Sequence, residues 1–348
     1  MRSLAPYDLM VAALRGDTPP EDVTAHAFAA SPAFWQRALA LEACAVQLAR
    51  ALRESPMSAH VPLPLRRLLS DATACAVRQA LTVPAQLTEL AGAAREMGMR
   101  VMVLKGAARL LQGDVPGARS MSDIDVLASP ADAGRLHQFL QDRLGYAPLL
   151  TSPEHHLPTL MRVGALPVEV HIQLGPRPTD LDARIWRDAH VMPGGDLLLP
   201  SVTATLLHAL AHGALVHWTG RYRLRDLLDV AMAWSGDIDR EEVAGYLRRH
   251  SQRAVLTTML GGAKRFAPAI PMGHPSAWRT IRRVARVRHL VAAHILDSSR
   301  ATSLCMAGGV IAEASPRALL RPAQLALFGV KQARAHPVAS RLGQPGAA

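Results

Sequence analysis

Apolar residues recur every three or four positions along most of the chain, which is the spacing of helices that bury one face. Over residues 1–97 this spacing predicts a run of helices. The segment "SPAFWQRALALEACAVQLARALRES" predicts one helix that Ser31 caps, Pro32 opens and Pro56 ends. Two more helices follow, separated at Pro84 and closed by Gly98. The first part of the chain is therefore predicted to be a helical region.

The pattern changes over residues 98–200, where short apolar runs alternate with helical segments. Three runs predict strands: "RVMVLKG", "DIDVLA" and "LPVEVHIQL". Between them, "AARLLQG" and "SPADAGRLHQFLQDRLGY" have helical spacing, and the second begins at Ser129-Pro130 and ends at Gly145. Strands that alternate with helices are typical of an α/β core.

Helical spacing returns from residue 201 in "SVTATLLHALAHGALVHW", "RLRDLLDVAMAW", "REEVAGYLRRHSQ" and "SAWRTIRRVARVRHLVAAHILDSSR". We therefore predict an α/β core over 98–200 with helical flanks at 1–97 and 201–330, a helix-rich protein overall. Residues 331–348 are basic and rich in Pro, Gly and Ala, so a disordered tail is expected there.

Composition narrows the choice of ligand and compartment. The 348 residues carry 39 Lys and Arg against 28 Asp and Glu, a net charge of +11, which suits a polyanionic ligand such as a nucleotide, a nucleic acid or a membrane surface. No apolar run reaches the ~20 residues that span a bilayer, and the N-terminal sequence does not follow a signal-peptide pattern. Cys44, Cys75 and Cys305 are widely spaced. We expect a cytoplasmic protein without a membrane span and with free thiols.

Two aspartates stand one residue apart in the second predicted strand. Asp123 and Asp125 point to the same face of that strand, because side chains alternate along a β-strand. Two carboxylates this close repel each other unless a cation neutralises them, and all-oxygen sites of this kind suit Mg²⁺. The alternative is a pair of solvated acids, or acids that form a salt bridge with Arg119.

Glu169 is a third acid in a similar setting. It lies in the middle of "PVEVHIQL", between Val168 and Val170, which face the other way. If this strand lies beside "DIDVLA", the three carboxylates form a cluster that can hold two metal ions for displacement at phosphorus. If it does not, Glu169 is a glutamate on a solvated face of the sheet.

Several motifs together resemble a known family. "VMVLKGAA", "R-x-x-x-DIDVL", "LGY", "HH", "VEVHIQL" and "LLHALAHGALVH…RLRDLLDV" are similar to the uncharacterised nucleotidyltransferases, over roughly residues 80–235. The wider superfamily includes polymerase-β-type enzymes and aminoglycoside nucleotidyltransferases. The resemblance implies a small mixed sheet with helical flanks and a site with two Mg²⁺ ions, which Mn²⁺ can replace. By position Asp123 and Asp125 match the metal ligands, and Glu169 matches the third acid, either a ligand or the general base.

The resemblance also implies a nucleotide site. In the superfamily a Gly-Ser or Gly-Gly turn receives the triphosphate, whereas this chain has Lys105-Gly106-Ala107, the Lys-Gly form of the resembled family. The missing hydroxyl leaves the donor less defined than the metal site. In the loop that follows, Arg119, Ser120 and Ser122 are candidate phosphate contacts.

Histidines and one further acid complete the candidate residues. His171, His155 and His156 lie near Glu169 in sequence and are either substrate or metal contacts or structural residues. His208 and His212 share one helix face at the spacing of a metal pair, but helix packing near the site explains them as well. Asp226 is either an ion-pair partner or a support for the acceptor site. The arginines of helix 279–300 suit either phosphate contacts or a solvated face, which we favour because few aromatics accompany them.

These observations lead to one main hypothesis and its competitors. We expect a Mg²⁺-dependent enzyme that transfers a nucleotidyl group from an NTP such as ATP to a hydroxyl or phosphate group. Some members of the resembled family lie beside biosynthetic genes for modified peptides such as lasso peptides, which favours a peptide or small natural product as acceptor. The alternatives are transfer of another group, such as a sugar, from a nucleotide-activated donor, and a non-catalytic module that binds a nucleotide or RNA.

Overall fold

The computed structural model describes residues 5–149, 155–175, 179–192, 195–216, 222–234, 236–271 and 276–294. Within them it has thirteen α-helices and one seven-stranded mixed sheet, so the predicted fold class, an α/β core with helical flanks, is confirmed. The helices are α1 Ala5–Arg15, α2 Glu21–Phe28, α3 Pro32–Glu42, α4 Ala45–Glu54, α5 Leu63–Glu96, α6 Lys105–Leu111, α7 Pro130–Leu144, α8 Asp180–Arg187, α9 Val202–Ala211, α10 Leu224–Trp234, α11 Arg240–Arg249, α12 Arg253–Ala263 and α13 Ala277–His294.

The sheet is built around the three predicted strands. Its strands are β1 Val101–Val103, β2 Ile124–Ala128, β3 Ala147–Pro148, β4 Leu160–Met161, β5 Val168–His171, β6 His190–Val191 and β7 Leu197–Leu199, in the order β3-β4-β5-β2-β1-β7-β6. β2 runs parallel to β5 and antiparallel to β1, and β1 runs parallel to β7. The sequence did not predict β3, β4, β6 and β7, because two or three residues are too few to show an alternating pattern.

The two faces of the sheet have different environments. Alternate residues of the central strands, such as Val103, Ile124 and Val168, pack in one apolar cluster with residues of α5 and α7. The residues between them face the other way, where Met102 and Leu127 belong to a second cluster that includes residues of α1, α3, α4, α9, α10 and α12. The acids of β2 and β5 lie on this second face because of the period of two along a strand.

The N-terminal helices differ from the prediction at two places. The expected single helix after Ser31 is two helices, since Ala43 has φ 52° and this left-handed backbone ends α3 before α4 begins. Ser31 caps α3 as predicted, and its hydroxyl accepts the backbone N–H of Phe34 at 3.2 Å.

The expected break at Pro84 is also absent, since α5 continues through it. A proline inside a helix costs about 3 kcal/mol because it removes one backbone hydrogen bond and crowds the previous turn. Here Ala80, Val83, Leu87 and Leu90 are buried in one cluster on both sides of the proline. Burial of this continuous apolar face offsets the cost, so packing overrides the local signal.

After residue 201, α9, α10, α11 and α13 begin where the sequence predicts helices, whereas α12 was not predicted. α9 is capped by Ser201, whose hydroxyl accepts the N–H of Ala204 at 3.2 Å, and it passes into a π-helical turn over His212–Val216.

Four arginines of the predicted basic helix are exposed on α13: Arg279, Arg282, Arg283 and Arg286. The expected tail at 331–348 lies outside the described residues. No helix in the described part of the chain has the length and apolar character needed to cross a bilayer.

Candidate functional site

Asp125 and Glu169 are neighbours across the sheet. β2 and β5 pair in parallel with Asp125 opposite Glu169, so the strand adjacency on which the three-acid cluster depended is present. Asp125 is only 2% exposed, and Glu169 is partly exposed on the same face. Two acids are thus held side by side on a rigid part of the fold.

The carboxylate of Asp125 is held by two side chains that donate hydrogen bonds to it. Lys105 Nζ donates to Asp125 Oδ1 at 2.6 Å, and His171 Nε2 donates to the same oxygen at 2.8 Å. Burial raises the pKa of Asp125, but the charges and hydrogen bonds of Lys105 and His171 outweigh burial and hold this pKa well below its usual range. Asp125 is therefore a carboxylate at neutral pH.

Asp123 immediately precedes β2 and has a different environment from Asp125. Its Oδ2 accepts a hydrogen bond from Ser122 Oγ at 3.0 Å. Burial and the negative charge of Asp125 raise the pKa of Asp123 to about 6, although Lys105 acts against this. The Asp123 carboxylate thus carries a charge that its protein neighbours only partly neutralise.

Glu169 lies between a hydroxyl and two imidazoles. Thr159 Oγ1 donates to Glu169 Oε1 at 3.2 Å, while His156 Nε2 and His171 Nε2 lie 3.6 Å and 3.7 Å from Oε2. Burial raises the pKa of Glu169, but His171 outweighs this and lowers the pKa below its usual value. Ligand atoms of Asp125, Glu169 and His171 lie within 4.8 Å of one another, close enough to share one ion.

The Lys105-Gly106-Ala107 segment forms the start of α6, where Lys105 has φ 48°. This left-handed conformation is strained for a residue with a side chain and often occurs at functional sites. A Cβ at Gly106 would lie 2.6 Å from Arg119 Nη1, and Ala107 is buried in an apolar cluster. Of these three residues, only Lys105 lines the cavity beside the acids.

Arg119 pairs with a partner that the sequence did not predict. Its Nε and Nη2 donate to both oxygens of Asp229 on α10, at 2.9–3.2 Å, so neither Asp123 nor Asp125 is its salt-bridge partner. Arg109 on α6 also donates to Asp229 Oδ1, at 3.0 Å. Burial raises the pKa of Asp229, but Arg119 and Arg109 outweigh it and lower this pKa. Asp229 therefore joins the loop before β2 and α6 to α10.

A cavity of about 510 Å³ opens between the sheet, α6, α9 and α10. Eleven of the sequence-predicted site residues line it: Lys105, Arg119, Ser122, Asp123, Asp125, His155, His156, Glu169, His208, His212 and Asp226. Four do not line it: Gly106, Ala107, Ser120 and His171, of which His171 is fully buried behind Asp125. The structure thus brings most of the candidate residues to one concave surface.

The histidines form two groups around this cavity. The rings of His155, His156 and His171 lie with centroids 5.1–5.5 Å apart, and those of His208 and His212 lie 5.9 Å apart. Burial lowers the pKa of His155 to about 4 and that of His208 to about 3. Burial also lowers the pKa of His171, but Asp125 and Glu169 outweigh it and raise this pKa. His155 and His208 are therefore neutral imidazoles at neutral pH.

Further residues line the cavity that the sequence analysis did not propose as site residues. They are Arg109, Pro200, Thr205, Ala209, Arg223, Arg225, Asp229 and Ala233. One signal was available for Arg109, which is four residues after Lys105 and so shares its helix face. The others lie on or next to α9 and α10, and their approach to the acids depends on packing between distant segments.

An α/β core with acids on two adjacent parallel strands, set against a helical wall, is the arrangement expected of a nucleotidyltransferase. The comparison with protein families agrees, because the family described as "uncharacterised nucleotidyltransferase" matches residues 16–268. The chain belongs to this family. The match extends beyond the motifs of residues 80–235 in both directions. Searches of curated proteins and of solved structures find no significant match.

Proposed function

We propose that the protein is a Mg²⁺-dependent nucleotidyltransferase that uses an NTP as donor and a peptide or small natural product as acceptor. One observation carries the proposal: Asp125 and Glu169 are register partners on adjacent strands, and both line the cavity together with Asp123. The volume of about 510 Å³ lies in the range of small-molecule sites, which supports an acceptor group of modest size.

The residues present fit a divalent metal. The three acids offer oxygen atoms, the ligands that Mg²⁺ and Mn²⁺ prefer, and ligand atoms of Asp125 and Glu169 lie within 4.8 Å of each other, which supports the proposal. When bound by Asp123, Asp125 and Glu169, Mg²⁺ supplies electrostatic stabilisation of the triphosphate and of the leaving pyrophosphate.

The protein's own groups have separate tasks in this proposal. Lys105 and His171 keep Asp125 ionised and fix its orientation. The acceptor hydroxyl attacks the α-phosphorus, the bond from that phosphorus to the bridging oxygen breaks, and pyrophosphate leaves with the electron pair. Glu169, partly exposed to the cavity, takes the hydroxyl proton or serves as a ligand.

Transfer of labelled nucleotide tests the proposal. The protein is incubated with Mg²⁺, each α-³²P-labelled NTP and a set of peptide and small-molecule acceptors, and products are identified by mass. We expect Asp125→Asn and Glu169→Gln to lower the transfer rate at least about 100-fold. Asp142→Asn changes an exposed acid on α7 and should leave the rate unchanged. Full activity in both site variants would refute the proposal.

A second candidate function is nucleotide binding without transfer. It is favoured by the two donors, Lys105 and His171, that already satisfy Asp125 Oδ1. Calorimetry with each NTP separates the two functions, because a binding module binds nucleotide in an Asp125-dependent manner but labels no acceptor. The remaining alternative, transfer of a sugar, is tested by using nucleotide-sugars as donors in the transfer assay. It predicts that the acceptor gains the mass of a hexose instead of a nucleotidyl group.

A further inference from the structure

Charge is distributed unevenly around the cavity. The sheet side is taken to include Asp123, which immediately precedes β2, and Lys105, the first residue of α6, because Lys105 binds Asp125. It carries three acids and one lysine: Asp123, Asp125, Glu169 and Lys105. The side formed by α6, the loop before β2 and α10 carries four arginines and two acids: Arg109, Arg119, Arg223, Arg225, Asp226 and Asp229. The helical side therefore has a formal excess of two positive charges, opposite the excess of negative charge on the sheet.

Two of the arginines on the helical side already have a carboxylate partner. Arg119 binds both oxygens of Asp229, and Arg109 binds one of them. Arg109 also pairs with Asp114, at 2.7 Å. These contacts use the donors of Arg109 and Arg119 to hold α6 and α10 together.

The other two arginines, Arg223 and Arg225, have unused donors. The Nε of each is buried and has no hydrogen-bond partner within the described residues. Both side chains share one ion-pair partner, Asp226, at 3.4 Å from Arg223 Nε and 3.9 Å from Arg225 Nε, but neither Nε makes a hydrogen bond to it. Because a buried donor without an acceptor is costly, these two side chains are suited to a ligand that supplies acceptor oxygens.

The electrostatic surroundings favour an anion at the same place. The side chains of Arg223 and Arg225 are only 16% and 19% exposed, so their charges are only weakly screened by water. Burial, together with the neighbouring Arg119, lowers the pKa of Arg225. An anion bound there would relieve this repulsion.

We propose that Arg223 and Arg225 form a subsite for the terminal phosphates of the donor nucleotide. The choice of donor rests on the proposed function. Planar guanidinium groups bind phosphate oxygens through paired N–H donors, which an ammonium group cannot do. The triphosphate would then extend from the acids on the sheet to the beginning of α10, and the arginines would stabilise the charge of the departing pyrophosphate.

Binding of inorganic tripolyphosphate in the presence of EDTA tests the subsite without metal and without transfer. The wild-type chain is compared by calorimetry with Arg223→Gln, Arg225→Gln and the double variant. Each single change should weaken binding about 10-fold or more, since a hydrogen bond to a charged group is lost. Arg240→Gln, an exposed arginine on α11 outside the cavity, is the matched control and should bind like wild type.

Nucleotides of different length identify which group the arginines bind. In the double variant, the affinity for NTP should fall by about the same factor as the affinity for tripolyphosphate. The affinity for a nucleoside monophosphate should stay unchanged. If a glutamine variant does not fold, Arg223→Lys replaces it in the measurement. This variant keeps the charge but loses the paired N–H donors, so it should still weaken tripolyphosphate binding. Unchanged NTP and tripolyphosphate affinity in the variants would overturn the subsite.

The outcomes also separate this inference from the proposed function. If wild type binds NTP through Arg223 and Arg225 but labels no acceptor, the subsite stands and nucleotidyl transfer fails. If transfer occurs with an unchanged KM for NTP in the double variant, transfer stands and the subsite fails. Absence of tripolyphosphate binding by wild type would also refute the subsite.

Discussion

Asp123, just before β2, and Asp125, within it, differ in protonation behaviour although they are two residues apart. Lys105 and His171 hold the pKa of Asp125 low, against burial, whereas burial and the charge of Asp125 raise the pKa of Asp123 to about 6. Environments that separate the pKa values of two acids are typical of catalytic sites. Asp123 is thus the acid whose charge depends most on a bound cation.

His208 is a buried polar residue with an unsatisfied ring nitrogen. It is 4% exposed, and its Nε2 has no hydrogen-bond partner among the described residues. It lines the cavity on α9. Such a group costs stability, so its presence beside the acids is consistent with a role in contacting a ligand.

The first prediction concerns the pH dependence of stability at His208. Its folded-state pKa of about 3 lies below the unfolded value of about 6.5, so the unfolded chain binds the proton first as pH falls. The wild type therefore loses about 2 kcal/mol at this residue between pH 7 and pH 5. His208→Leu should gain this amount relative to wild type over the same range in urea denaturation.

A surface histidine provides the control for this measurement. His26→Leu makes the same substitution at an exposed histidine on α2 and is measured in parallel. A constant difference between His208→Leu and wild type at pH 5 and pH 7 would contradict the lowered pKa of His208 in the folded protein.

At the scale of elements, the sequence predicts best where local signals and packing agree. β1, β2 and β5 were predicted from the short apolar runs that contain them, and α7 from its helical spacing, with Ser129 and Gly145 at its ends. Pro84 was misread because the local cost of a proline is smaller than the burial of the continuous apolar face of α5. Ala43 carries no sequence signal for its left-handed backbone.

The candidate site shows the same difference between what local sequence signals predict and what depends on packing of distant segments. Alternation along each strand places Asp125 and Glu169 between residues that face the other way, which the sequence shows directly. That the two strands are neighbours was left open by the sequence and is shown by the pairing of β2 with β5. The pairing of Arg119 with Asp229 joins residues 110 positions apart, and it depends on how α10 packs against the α/β core. No periodicity encodes that contact, so a salt bridge to the nearer aspartates was the natural expectation.

Glu42 connects three helices around the beginning of α10. Its buried carboxylate accepts the backbone N–H of Leu224 at 3.0 Å and lies 2.9 Å from His289 Nε2 on α13. A negative charge at a helix N-terminus is stabilising because it pairs with unsatisfied N–H groups and the helix dipole. Glu42 on α3 therefore fixes the end of the helix that carries Asp226 and Asp229.

The second prediction is that Glu42→Ala lowers the free energy of unfolding by about 3 kcal/mol, because it leaves buried hydrogen-bond donors without their acceptor. The N–H of Leu224 and the ring of His289 would lose this acceptor. Urea denaturation measures the change. Glu54→Ala removes an exposed partner of Arg50 and should cost less than about 1 kcal/mol; equal effects of the two substitutions would contradict this role of Glu42.

At the scale of the whole molecule, the first and last helices share one core. A single apolar cluster includes Leu9 on α1, Leu48 on α4, Leu207 on α9 and Leu256 on α12. An ion pair between Asp8 and Arg282 and the Glu42–His289 contact join the same parts of the chain. We therefore expect residues 1–97 and the helices after residue 201 to unfold together, although the sequence pattern assigns them to separate regions.

The third prediction follows from this shared core. Leu48→Ala removes a fully buried side chain, which costs about 2–5 kcal/mol. If unfolding is cooperative across the cluster, the slowest amides of α9 and α10 should exchange with deuterium at least about 10-fold faster, together with those of α3 and α4. Leu81→Ala is the matched control, since Leu81 on α5 is 67% exposed. Faster exchange confined to α1–α4 would mean that the N-terminal helices unfold as a separate unit, and the wall of the cavity formed by α9 and α10 would then be stable without them.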